Sequence, residues 1–262
     1  MWKKIATVAT LAGGIATSPA HAVVVSASTD ASALANALIG SGVSVVGTPT
    51  LTVASPTAAG FFTNGGTGAT GIGIDQGVLL TTGTVDCAVG PNTQTNCSGD
   101  GTTTSLKFDF TSDSGKLFFS YVFASEEYNE FVNMGYNDKF ELLLNGTNIA
   151  FLPGTSTVVS IDTVNLGSNS AYFRDNASGQ GIDTQYDGLT TVLTAGADVL
   201  AGINTFEFRI YDVGDSLYDS GVFIKGGSFA AVDPTDVPEP ASLALVGLGL
   251  AGIAAIRRRK SA

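Results

Sequence analysis

The residues best equipped for chemistry are carboxylates in two short runs. Ser125-Glu126-Glu127-Tyr128-Asn129-Glu130 follows the apolar stretch 117–124, and Asn137-Asp138 comes just before the next apolar stretch. Asp212-Val213-Gly214-Asp215-Ser216-Leu217-Tyr218-Asp219-Ser220 leaves the apolar stretch 206–211 and enters another. Two acidic turns at strand ends can meet at one rim of a sandwich. Crowded carboxylates repel one another, and in sequence only Lys139 and Arg209 lie near them. A calcium ion, with about 6–8 oxygen ligands, would resolve the conflict. The expected ligands are Glu126, Glu127, Asp138, Asp212, Asp215 and Asp219, with backbone carbonyls and water completing the shell. The spacing is not that of an EF-hand loop. The alternative is a solvated acidic rim whose Asp and Ser side chains cap turns.

Paired carboxylates also serve glycosidases, which flank a sugar bond with two of them. Glu126, Glu127, Glu130 and Asp215 are the residues that could take those roles. A second pattern, Gly66-Thr67-Gly68-Ala69-Thr70-Gly71, matches the dinucleotide-binding glycine spacing. No helix follows it, so a turn or bulge loop is expected instead.

The ends of the chain set its address. Residues 1–22 carry Lys3 and Lys4, then an apolar stretch, then Ala20-His21-Ala22. That is the layout of a secretory signal peptide, with cleavage expected after Ala22. At the other end Pro238-Glu239-Pro240 precedes an uncharged stretch, 241–256, and then Arg257, Arg258, Arg259 and Lys260. The stretch is slightly short of the ~20 residues that span a bilayer comfortably. The basic cluster places its own end in the cytoplasm and the body of the protein outside. The expected organisation is a signal peptide (1–22), one domain (23–232), a linker with the Pro-Glu-Pro motif (233–240) and a membrane-inserted sorting helix with a basic tail (241–262).

Trimming both ends changes the composition. The whole chain has 12 basic and 23 acidic residues, a net charge of −11. Without residues 1–22 and 238–262, six basic and 22 acidic residues are left, a net of −16. Such a surface excludes nucleic acid as a partner, because phosphate binding needs positive charge. The single His and single Trp, His21 and Trp2, leave with the signal peptide. A Ser-His-Asp triad or a His-ligated zinc site therefore cannot form, and the acidic, amide-rich remainder favours calcium first among metals. Cys87 and Cys97 are an even pair in an exported chain and predict a disulfide around a turn-rich loop.

The hydropathy pattern predicts one short helix and about ten strands. Thr29 or Asp30 caps a helix over 31–39, and Gly40 and Gly42 stop it. Strands are expected at 43–46, 51–54, 77–82, 106–111, 117–124, 139–144, 158–164, 190–194, 205–211 and 221–225. The run 117–124 is apolar on both faces, so it should be central or covered on both sides. Short strands between Gly, Asn, Asp and Ser turns predict an all-β, antiparallel, jelly-roll-like β-sandwich.

Two family resemblances follow from these residues. Val237-Pro238-Glu239-Pro240, the apolar helix and the Arg run resemble the PEP-CTERM sorting signal of Gram-negative bacteria. That resemblance implies transient recognition by an exosortase, a membrane protease. It also implies an inner-membrane stage through 241–256, removal of the tail, and a final place on the cell surface or in an exopolysaccharide matrix. Tyr121-Val122-Phe123-Ala124-Ser125-Glu126-Glu127-Tyr128 and Asn137-Asp138-Lys139-Phe140 resemble the choice-of-anchor L domain. So do 158–165, 186–190 and the run 212–220. This second resemblance implies export and surface attachment, with no assigned reaction and no catalytic residues. The expectation is a non-enzymatic surface or matrix protein. The alternatives are a calcium-dependent carbohydrate-binding module and a glycan hydrolase.

Overall fold

The computed structural model of the chain describes residues 22–233, apart from 54, 95, 98–102, 178–179 and 215–216. Residues 1–21, the Pro-Glu-Pro motif, the stretch expected as a sorting helix and Asp215 lie outside the described residues. No helix among the described residues is long and apolar enough to cross a membrane.

Along the chain run β1 (Val24–Ala27), α1 (Ala31–Leu38), β2 (Val43–Thr52), β3 (Ala59–Thr63), β4 (Gly77–Thr81), β5 (Thr103–Ser112) and β6 (Lys116–Ser125). Then come β7 (Lys139–Leu144), β8 (Thr147–Asn148), β9 (Phe173–Asp175), β10 (Gly188–Thr190), β11 (Leu193–Asp198), β12 (Asn204–Tyr211) and β13 (Ser220–Lys225). They form two antiparallel sheets, as the all-β expectation required. One has the order β1-β3-β4-β13-β6-β10-β9, with β11 also on β6, and the other β2-β5-β12-β7-β8. Asp30 caps α1 by accepting the Ala33 amide at 2.9 Å. The helix ends at Leu38, with Ile39 already extended, and at Gly40 the chain packs against the Gly227 carbonyl, which a Cβ would approach to 2.2 Å.

Strand β6 has both faces covered. Leu117, Phe119, Tyr121 and Phe123 point into the core between the sheets, where they join Leu106, Phe108, Phe140, Phe206 and Phe208 from the opposite sheet. Val122 and Ala124 point the other way, into a second core with Phe62, Leu79, Tyr186 and Phe223. Fully burying a side chain of this size stabilises the fold by about 1.5–3 kcal/mol. These strands therefore fix the position of everything at their ends.

Four expected strands came out differently. The segment 43–46 and the start of 51–54 belong to a single strand, β2, which ends at Thr52 and whose register against β5 shifts between Val46 and Thr50. The expected strand at 190–194 is broken. β10 pairs with the end of β6 through Gly188 and Leu189, and β11 with its start through 193–198. At the break the Thr190 hydroxyl accepts the Phe123 amide at 3.0 Å, and the Thr191 amide turns aside to Tyr172. The expected strand at 158–164 is mostly turn, joined to neighbours by isolated bridges at Val158 and Ser160. Thr163 causes this: its hydroxyl accepts the Ser160 amide at 3.0 Å and donates to the Val158 carbonyl at 2.6 Å, competing with ladder bonds. Val159, Ile161 and Val164 are still buried, so the apolar signal marked core and not strand.

Candidate functional site

The site lies where strands of both sheets end together. Ser125 closes β6 opposite Ser220, which opens β13. Tyr211 closes β12 opposite Lys139, which opens β7. The acidic turns thus leave the same rim, and they touch. The Glu126 amide donates to the Asp219 carbonyl at 3.0 Å. Asp138 ties the sheets together: its carboxylate accepts the Val213 amide at 3.1 Å and the Ser220 hydroxyl at 2.8 Å.

These carboxylates are not on the surface. Glu126, Glu127, Asp138 and Asp219 are each at most 2% exposed. The Cys87–Cys97 disulfide, which the exported pair of cysteines predicted, holds a loop over them, with Cα atoms 5.6 Å apart. The Cys97 amide donates to Glu126 Oε2 at 3.0 Å, and the Cys87 sulfur sits 3.4 Å from Asp219 Oδ2. The Ser125 hydroxyl accepts the Glu127 amide at 3.0 Å and fixes the turn.

Burial decides the protonation. It pushes the Glu126 carboxyl up to about 7, with the charges of Asp219 and Asp187 adding and the Cys97 amide opposing. It pushes Asp212 up to about 8, with neighbouring Asp138 adding next and the Thr82 hydroxyl opposing. Both oxygens of Asp212 and Oε1 of Glu126 are buried and make no hydrogen bond of normal geometry. So does the hydroxyl of Tyr186, which burial and the charges of Asp219 and Glu126 drive well above its usual pKa. It packs on Gly221, where a Cβ would come within 2.5 Å of it.

Of the six expected calcium ligands, Glu126, Asp138, Asp212 and Asp219 come together, and Glu127 is buried in the same turn. Asp215 lies outside the described residues. Among those residues no three His, Cys, Asp or Glu side chains are disposed to hold a metal ion. Arg209 does not serve this cluster, since its guanidinium pairs with Glu141 on β7. Outside the acidic layer, Phe131 lies 4.7 Å from Tyr218 and 5.5 Å from Tyr136, a half-buried aromatic group beside the exposed Met134 and Leu217. Sequence reasoning missed Tyr186, Thr82 and Ser220. Ser125 and Ser220 flank the acidic runs and were findable. Tyr186 and Thr82 come from distant segments and carry no local signal.

The glycine-rich segment forms the turn loop expected of it. Residues 65–73 make a turn-rich loop, with the Ile72 and Gly73 amides bonded back to Gly65 and Gly66. Arg174 braces it through the carbonyls of Ala69, Gly71 and Ile72.

The described domain is therefore a two-sheet module with a buried acidic cluster at one rim. Residues 23–230 match the choice-of-anchor L domain, and residues 236–260 match the PEP-CTERM protein-sorting motif. The chain belongs to the choice-of-anchor L family. Comparison with curated proteins and with solved structures gives no match. The PEP-CTERM tail makes this an exported protein, sorted through an exosortase to surface display.

Proposed function

We propose that the chain acts as a non-enzymatic protein of the cell surface or exopolysaccharide matrix. The observation that carries this reading is the burial of the carboxylates at the rim. A glycan hydrolase must bring its two carboxyl groups to a sugar bond. Here Glu126 and Glu127, two of the four residues that could take those roles, are at most 2% exposed and so hidden from a polymer in solution, with the Cys97 amide on Glu126; Glu130 is exposed, and Asp215 lies outside the described residues. The test is incubation of the exported protein with the host's exopolysaccharide. No new reducing ends should appear. Turnover abolished by Glu126→Gln would establish the hydrolase instead.

A second reading is a calcium-dependent carbohydrate-binding module. The half-buried Phe131, Tyr136 and Tyr218 favour it, because such rings supply stacking faces beside an acidic layer. The buried oxygens of Asp212 and Oε1 of Glu126, which make no hydrogen bond of normal geometry, are the atoms that a cation would engage after side-chain rotation. A glycan array run with calcium and then with chelator decides the matter. Glycan retention lost on chelation favours the module, and no retention in either condition favours the first reading.

A further inference from the structure

We propose that the mature amino terminus is part of the folded domain: the α-ammonium of Val23 pairs with the carboxylate of Asp183 in a cavity beside β1. The proposal rests on export and on cleavage after Ala22. Val23 is 2% exposed and its side chain packs in the second core with Phe62, Ile72 and Ile182. The next residue, Val24, already pairs with Thr63 in the sheet. The Ala22–Val23 peptide bond is therefore held in place from one side. Ala22 lines a cavity of about 400 Å³ whose wall includes Thr70, Asn92, Asn176 and Asp183.

Hydrolysis of that bond consumes one water. The carboxylate leaves with Ala22, and the amine stays on Val23 and takes up a proton at neutral pH. The new charge cannot move away, because its own side chain is locked in the core. Ala22 is exposed, so the amine it leaves behind stays in reach of water, and an anchored charge there gains from a carboxylate held in the same cavity wall. Asp183 is the charged residue in the cavity wall, and its amide is fixed by the Thr70 carbonyl at 3.0 Å. Gly90 allows this approach, since a Cβ there would come within 2.4 Å of Asp183 Oδ1. The neighbouring charges are already engaged. Arg174 is spent on the carbonyls of the glycine-rich loop, and Asp187 accepts the Asn92 side chain.

The experiment starts with N-terminal peptide mass on the exported protein. A start other than Val23 overturns the cleavage reading, and the amine pair with it. Two chains running to Ala262 are then compared in detergent, one starting at Val23 and one retaining Ala22. The Val23 α-amine should titrate about one unit above the ~7.7–8.0 of free α-amines. The chain starting at Val23 should also melt higher. Asp183→Asn should close that gap and return the amine to the ordinary range. A Val23 amine titrating in the ordinary range in the unsubstituted protein overturns the pair, even if Asp183→Asn fails to fold. A melting gap that survives Asp183→Asn overturns Asp183 as the partner.

Discussion

Asp212 sits at the end of β12 with both carboxylate oxygens buried and a pKa pushed up to about 8 by burial and Asp138. Its ordinary range is near 4, so the folded state holds this proton across a window in which the unfolded chain has lost it. Where the folded state binds more protons, stability falls as pH rises. The contribution of Asp212 should therefore decline from about pH 4 to pH 8 and then level off. Glu126, raised to about 7, acts in the same direction. Asp212→Asn should flatten the decline in melting temperature between pH 5 and 8, measured in chelator, and raise stability at pH 8. An unchanged slope would show that Asp212 is ionised in the native protein. Tyr186→Phe adds a second check. Removing a buried hydroxyl with no partner should leave stability unchanged or raise it by up to about 1–3 kcal/mol. A loss of about 1 kcal/mol would mean that a bound water or ion satisfies it. The carboxylates of this site were legible because acidic residues at strand ends are conspicuous. Their burial was not, because the disulfide loop and Tyr186 that enclose them are remote in sequence.

At the scale of elements, the two sheets are joined by aromatic rings. Phe229, beyond the end of β13, lies 5.2 Å from Phe108, 5.1 Å from Phe110, 5.0 Å from Phe206 and 5.7 Å from Phe119. It draws the chain after β13 back into the core, and the Ala230 and Phe118 backbones bond to each other there at 2.9 Å. Phe229→Ala should cost about 3–5 kcal/mol in urea unfolding. A loss under about 1 kcal/mol would place its ring outside the core. Alternation marked β5, β7 and β12 plainly, because each has one face in the core and one face wet. It failed at 158–164 and 190–194, where Thr163 and Thr190 hydroxyls replace ladder bonds. It also missed β3, which is Ala59-Gly60-Phe61-Phe62-Thr63. Gly60 weakens the strand signal there, yet close approach to the Ser26 carbonyl demands it, since a Cβ would stand 2.3 Å away.

For the whole molecule, the address is written at the ends and the fold is written in the middle. The domain reads as a compact acidic body with a net charge of −16 between its termini. Beyond it, Pro238-Glu239-Pro240 falls within the stretch matched as a sorting motif. Replacing these three residues with Ala should leave an uncut, membrane-bound form in the native host, seen as a shift from the surface to the membrane fraction. Normal surface release of that variant would show that the Pro-Glu-Pro motif is not what the protease reads. The most direct measurement of the central claim, an exported protein freed of its sorting tail, is the intact mass of the unaltered protein recovered from the cell surface. The recovered chain should have lost Arg257, Arg258 and Arg259 together with the apolar stretch 241–256. A surface protein that still carries those arginines would contradict it.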